Sequence, residues 1–583
     1  MAEVLTWRRK RTAFLPLVCF FLFSASVSGK PKTELLQIGT GNNWDFYPSR
    51  WSDGSDHSLL PPAEKQGEEG AYQAFYKPSF RDFDVSFSYR VRRWVTDTGI
   101  IIRAASPDHY YLVHFPSNGQ QGRAKHFWGA VSQVDQHGYI RYKKFAMIPH
   151  VSPEPDIWHD VRIVVSGTEV RVWVDGHAFP RVDIDDMPPS GRLGIYGWGA
   201  FDLKEVRVTG KSGESPDWPE QWTPSRNWFN PLPDQSLGKW QWRPHLTKTP
   251  KGDLLLAFAV HPNGYDPPHL LATARSEDKG KSWSKPRKLI LPLDGLEVEQ
   301  KQAVEQFSGV GHHYVPAVTT TRDGRLILQV FANPWTGEGE SRVWGEAHVF
   351  MTESLDDGRS WEPLRLAPQW PQPDGVNLLN AWGNFLELSD GTLLRQVAGG
   401  EGSGKEHIYD WGSVHARAFS IRSTDGGSTW SPPVNLDGSR LAKLGNLDLT
   451  EAQCCETASG RVLCLIRPIY SPTMWETWSD DSGASWTPTT ISSVVGYAAD
   501  MLKTESGAIL IGHRYPGLAV NVSRDDGLNW SEQVTIDLAN WANGTMIEVE
   551  PNVVLYIYMT DRNEGRFRAQ FIEVTPTGLR PRK

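Results

Sequence analysis

The chain has few cysteines and no surplus of positive charge. Four cysteines occur in 583 residues. Cys19 falls in the N-terminal apolar stretch, which leaves Cys454, Cys455 and Cys464. Three thiols cannot all pair within one chain, so a scaffold stapled by several disulfides is excluded; a bridge from Cys464 to Cys454 or to Cys455 stays open. Their spacing fits no zinc site, no other metal-ligand pattern stands out, and no cofactor is implied. Lysine and arginine number 60 against 68 aspartates and glutamates, a net charge of −8. Binding phosphate needs a basic surface, which argues against a nucleic-acid or anionic-membrane partner. An anionic sugar, which a few local arginines can hold, stays open.

Long apolar runs are also missing. The stretch Ala13–Phe23 is too short to span a bilayer. Arg8, Arg9, Lys10 and Arg11 precede it, and small residues follow, with Val27 and Gly29 before Lys30. This reads as a secretory signal peptide over residues 1–29, the alternative being a short uncleaved anchor. The mature chain is then expected to be secreted, extracellular or periplasmic, with no integral membrane segment.

Turn-formers and aromatics are plentiful: 53 Gly, 41 Pro and 26 Trp. That balance favours an all-β fold. Residues 35–212 alternate with period two, as in Asp84–Arg90, Val161–Val165 and Val170–Val174, with turns at Ser166-Gly167 and Asp175-Gly176. They predict a β-sandwich. Residues 213–235 carry Ser-Pro, Trp-Pro, Thr-Pro, Asn-Pro and Leu-Pro-Asp, which predicts a semi-rigid linker.

From residue 236 to 577 the chain repeats itself. Ser-x-Asp-x-Gly-x-(Ser/Thr)-Trp occurs at Ser276–Trp283, Ser354–Trp361, Ser423–Trp430 and Ser479–Trp486; Ser523–Trp530 is a fifth copy with Asn529 at the seventh position. The aspartate can bond its own loop, the glycine can take positive φ, and the tryptophan can pack beneath. A repeat of this kind means a solenoid or propeller. The pattern resembles the Asp-box of the sialidase superfamily, and residues 35–212 resemble the laminin-G or concanavalin-like jelly rolls that accompany glycosidases. The resemblance implies a six-bladed β-propeller, with five boxes and one degenerate blade, preceded by a jelly-roll sandwich. The boxes themselves are then structural.

The resemblance also implies site residues. Sialidases hold the substrate carboxylate with three arginines, whose planar forks pair with it bidentately. The matching positions are Arg243 in Trp242-Arg-Pro-His245, Arg467 at the end of Arg461–Arg467, and Arg514 at the end of Ile509–Arg514. Glu451 stands where the family places the base toward the nucleophile, and Asp266 where it places the general acid/base. The family's nucleophilic tyrosine falls in Trp541–Met546, where Asn543 stands instead. Asparagine cannot form an aryl-glycosyl intermediate; Tyr497 is the first candidate to replace it and Tyr515 the second. His312, His313, Tyr314, Asn380, Trp382, Asn384, His407, Tyr409 and Asp410 fall near inner-strand starts or in a Gly-rich loop. They suit a proton-abstracting lyase or plain turn and rim packing. Three functions follow: a hydrolase of sialic acid or a related acidic sugar on a glycan or glycoprotein, another carbohydrate-active enzyme such as a uronate lyase or a glycosidase of a different sugar, or a non-catalytic glycan-binding protein. Sequons begin at Asn521, Asn529 and Asn543.

Overall fold

The structure is a computed structural model. It describes residues 32–35, 43–47, 52–53, 59–60, 72–92, 96–117, 126–218, 227–261, 270–289, 311–336, 343–344, 348–362, 365–367, 376–380, 383–401, 415–436, 448–469, 473–515, 517–531, 533–538, 543–560 and 565–582. Every regular element among them is a β-strand, and no helix among them is long and apolar enough to cross a membrane.

The N-terminal domain is built on one long strand, Tyr72–Val91. Its second half alternates buried and half-buried residues, as the period-two pattern predicts. Phe83, Val85, Phe87 and Tyr89 point into a core shared with Val161, Ile163, Val165 and Val172. The strand pairs antiparallel with His159–Ser166, Gly191–Trp198 and Phe201–Ser212. Four further strands, Asp97–Ser106, His109–His114, Phe127–Val134 and Ile140–Ile148, pair in succession and carry a second apolar cluster around Tyr110, Leu112 and Tyr196. Together they form the jelly-roll-like sandwich.

The C-terminal domain is a run of four- and five-stranded antiparallel meanders. Their first strands are Trp240–Lys248, Gly311–Thr320, the pair Val376–Asn380 and Phe385–Glu387, Leu449–Glu456, Tyr497–Lys503 and Gly544–Glu550. These pack in cyclic order, and Gly544–Glu550 returns to lie against Trp240–Lys248. The result is a β-propeller. Five meanders stand as sheets of their own. The expectation of a six-bladed propeller is corrected here to five separate blades. In the meander from Tyr497 to Asp537, the outermost strand pairs Val534 with Arg141 and Thr535 with Ile140, which merges it into one 19-stranded sheet with the sandwich. An outer edge that would otherwise present open backbone groups to water finds a partner in the neighbouring domain.

All five Asp-boxes are the turns between third and fourth strands. In the first, Ser276 Oγ donates to Asp278 Oδ1 at 2.8 Å, while the Gly280 and Ser282 amides donate to Ser276 Oγ and Asp278 Oδ1 at 2.7 and 2.8 Å. The glycine and the residue before it both have positive φ, 92° and 63° for Gly280 and Lys279, which is why glycine recurs there. In the fifth box Asn529 Nδ2 donates to Asp525 Oδ2 at 2.7 Å and so replaces the serine hydroxyl. Asn521 Nδ2 donates to the Ser531 carbonyl and Asn543 is buried, so all three sequon asparagines are engaged or enclosed.

Cys454 lies directly across the ladder from Cys464, whereas Cys455 faces a different apolar cluster. All three thiols are free and buried. Burial pushes the Cys455 thiol up to about 12, so it is no nucleophile.

The domain junction is polar as well as apolar. Arg141 Nη2 donates to the Leu579 carbonyl at 2.6 Å, Tyr139 Oη donates to Gln570 Oε1 at 3.2 Å, and Asn227 Nδ2 donates to the His137 carbonyl at 2.6 Å. Phe229 stacks on Phe571 at 5.6 Å, which docks the proline-rich segment's end onto the last sheet. Domains that share a sheet are expected to unfold together. Arg141→Ala should lower Tm by a few degrees, with far-ultraviolet circular dichroism and tryptophan fluorescence still tracing one transition. Two separated transitions would show independent domains.

Candidate active site

The first strands are interrupted near the same end of the ring. Register shifts fall between Trp242 and His245, between Thr450 and Gln453, and between Tyr497 and Asp500. Two non-glycine residues there hold positive φ: Arg243 at 51° and Glu451 at 43°. Pro244 removes a ladder donor and ordinarily drives its predecessor to extended geometry, so Arg243 is held against local preference. Strain of this kind persists where surrounding contacts over-determine it, and it concentrates at functional sites.

Those contacts are ionic. Arg467 Nη1 donates to Glu451 Oε2 at 2.5 Å, and Arg243 Nη2 donates to Glu451 Oε1 at 3.5 Å. Glu451 and Arg467 are almost fully enclosed, at 2% and 3% exposure. Burial pushes the Glu451 carboxyl up, but the charges of Arg467, Arg243 and Arg514 outweigh it and hold the carboxyl below its ordinary value. Four of the residues expected from sequence, Arg243, Glu451, Arg467 and Arg514, therefore form one electrostatic cluster.

Tyr497 floors that cluster. The Arg467 guanidinium sits over its ring at 5.4 Å, and Tyr497 pairs in register with Arg514. The side chain is 1% exposed, and its hydroxyl has no hydrogen-bond partner among the described residues. Burial raises its pKa further, only partly offset by Arg467 and Arg514. In this arrangement Tyr497 is a neutral phenol, and Glu451 accepts hydrogen bonds from Arg467 and Arg243. Tyr515 turns away from the ring centre: its hydroxyl donates to the Pro116 carbonyl at 3.3 Å. Asp266, His407, Tyr409, Asp410 and Trp382 lie outside the described residues. The side chains of His312, His313, Tyr314 and Asn380 do too. Asn384 is a strut: its side chain bonds the Cys454 backbone on both sides, at 2.5 and 3.0 Å.

A narrow cavity of about 40 Å³ lies where the first strands converge, room for a few waters among the described residues. Its walls include Arg243, His245, Arg395, Gln453, Asp500 and Asn543. Arg395, His245 and Asp500 were not singled out from sequence; the signal available was charge inside apolar runs, as in Leu393-Leu394-Arg395. Burial and the nearby Arg395 lower the His245 pKa to about 3, keeping the ring neutral as it accepts from the Val318 amide at 3.3 Å. Burial lowers the Arg395 pKa to about 9. Asp500 shows part of its surface to the cavity, but burial still lifts its pKa to about 7 against the pull of the Met546 and Met501 amides. The Met546 amide donates to it at 2.6 Å.

A second constellation calls for comparison. In the sandwich, His114 Nδ1 meets Asp97 at 2.8 Å and its Nε2 meets Ser132 Oγ at 2.9 Å. All three are at most 1% exposed, so the line is a sealed structural network with no path for a substrate. Among the described residues no group of three His, Cys, Asp or Glu side chains is placed to hold a metal.

Residues 299–564 match the BNR repeat-like domain family, and residues 37–209 match the 3-keto-alpha-glucoside-1,2-lyase-like domain. With the Asp-box turns, this makes the C-terminal domain a β-propeller with BNR-like repeats that is similar to proteins of the sialidase superfamily. A sialidase of Bacteroides fragilis (strain YCH46) is 26% identical over 362 residues, covering 56% of this chain and 61% of that protein. A sialidase of Micromonospora viridifaciens is 26% identical over 263 residues, covering 42% of this chain and 36% of that one. The chain thus spans less than two thirds of either curated relative. Among solved structures, the Hadza microbial sialidase Hz136 aligns over 93% of this chain and 99% of its own, at 15% identity and a TM-score of 0.48.

Two measurements follow from the charges. Glu451→Gln leaves buried guanidinium groups without their carboxylate and is expected to cost about 3–5 kcal/mol of stability at neutral pH. Because the Glu451 pKa is depressed on folding, its contribution is present above the unfolded value and fades as pH falls through the folded one. The gap in Tm between the two proteins should therefore close in acid; a constant gap would contradict the assignment. Asp500 has the opposite sign. Its pKa is raised, so wild-type stability declines as pH climbs from about 4 through about 7. Asp500→Asn should gain several degrees of Tm relative to wild type between pH 5 and pH 8, and a flat difference would refute the shift.

Proposed function

We propose that the protein is an exo-acting glycoside hydrolase that removes a terminal sialic acid or a related acidic sugar from a glycan or glycoprotein. The observation that supports it most is the convergence of Arg243, Arg467 and the charge of Arg514 on one enclosed carboxylate. A site that holds Glu451 this way offers a substrate carboxylate the same planar, charge-assisted partners. On this reading the sugar carboxylate joins the arginines, Asp266 protonates the leaving oxygen, and Glu451 acts as base once the arginines are shared with the substrate. The meander from Tyr497 to Asp537 brings the charge of Arg514 to the same carboxylate. On the same reading the mature chain is secreted and meets its glycan outside the cell.

Two routes to the anomeric carbon remain. In the first, Tyr497 attacks after Glu451 removes its proton, and a covalent glycosyl-tyrosine forms. The second is attack by water in a single displacement. It is favoured by Asn543 at the cavity wall and by the sealed Tyr497 hydroxyl, which lacks a bond to Glu451. The anomer released first, read by proton NMR, separates them: retention for the first and inversion for the second. Arg467→Ala, shown to be folded, is expected to lose hydrolysis of sialylated glycoprotein by a factor on the order of 10² or more. Free sugar released by that variant at the wild-type rate would remove the arginine clamp from the mechanism. Release of a 4,5-unsaturated product from uronate polymers would replace hydrolysis with elimination.

A further inference from the structure

A row of side chains runs from the sandwich into the candidate site. Trp128 and Phe145, both in the sandwich, stack at 5.0 Å with an interplanar angle of 19°. Phe145 meets Tyr515 of the propeller at 5.7 Å, edge to face. Tyr515 meets Tyr497 at 5.9 Å, also edge to face, and Tyr497 lies beneath the Arg467 guanidinium. Each step is a geometry in which aromatic pairs attract beyond their burial.

Tyr515 is the hinge of the row. It has a φ of 136°, a conformation that side-chain-bearing residues rarely adopt. Two domains hold it there. Its hydroxyl donates to the Pro116 carbonyl of the sandwich, while its own carbonyl accepts from Gln533 Nε2 at 2.6 Å. The strained residue is the direct neighbour of Arg514 in the chain. It therefore fixes where two of the three arginines stand, Arg514 through the backbone and Arg467 through Tyr497.

We propose that Tyr515 is a positioning residue through which the sandwich domain sets the arginine clamp, so that Phe145 helps determine affinity for the acidic group of the sugar. This rests on the reading of the arginines as a carboxylate site. The sandwich is then part of the active site's supporting structure, and its removal would loosen selection of acidic over neutral sugars.

The test compares two ligands on three proteins. The methyl α-glycoside of N-acetylneuraminic acid and its carboxyl methyl ester are titrated into full-length wild type, Phe145→Ala and Phe145→Tyr, with thermal melts to confirm folding. Wild type is expected to prefer the acid. Phe145→Ala is expected to lose that preference by a factor on the order of ten, because a small misplacement of paired groups is costly. Phe145→Tyr keeps the ring and is expected to restore it. On a hydrolysable sialoside the same loss should appear in KM with kcat little changed. A general loss of packing would weaken acid and ester alike, and so overturns the proposal. So does a folded Phe145→Ala protein that keeps the full preference. If wild type itself shows no preference, the arginine reading fails first and the positioning role falls with it.

Discussion

A carboxylate enclosed among guanidinium groups holds the centre of this molecule together. Removing Glu451 and its arginines from water is expensive, and the cost is offset only because the charges meet at hydrogen-bond distance. That requirement reaches outward. Arg467 must end its strand at the ring axis, Arg243 must accept a backbone conformation it would not choose before a proline, and Glu451 must sit at a break in the ladder. The irregular first strands are what this charge arrangement demands of a propeller, and the tight Asp-box turns at the opposite ends of the blades supply the rigidity that keeps it.

Much of this was legible in the chain. The boxes announce themselves because each turn needs a short acceptor, a glycine with positive φ and a large aromatic at set offsets. Arg467 and Arg514 could be counted back from a box and Glu451 from Arg467, whereas Arg243 rested on a family resemblance at the opening of the first blade. The cavity groups escaped, since Arg395 and Asp500 look like ordinary strand residues until the ring closes and brings the first strands face to face. The side on which each cysteine points also depends on register, which the box spacing does not set. For Tyr497 the sequence offered a candidate nucleophile at an inner-strand start but no sign of its burial, to which the packed ring of Tyr515 contributes.

The expected count of six blades failed for a related reason. Alternation marks Ile140–Ile148 and Val534–Asp537 as strands, but no local pattern says that two strands almost four hundred residues apart in sequence will pair. Edge strands seek partners, and which partner they find is a property of the assembled surface. The outcome is a junction built from ladder hydrogen bonds, the Arg141 fork and a row of aromatic rings, and not a loose tether between a binding module and an enzyme.

Asn529 has a consequence for how such repeats drift. The fifth box keeps its geometry although serine or threonine is gone, because the amide nitrogen supplies the donor that Asp525 requires. What the turn needs at that position is a donor that reaches the aspartate, not one particular residue to provide it. Any short side chain with an N–H or O–H at the right reach satisfies it. Propellers of this kind can then shed the recognisable spelling of their repeats while retaining every turn, and blades that look degenerate on the page can be intact in space.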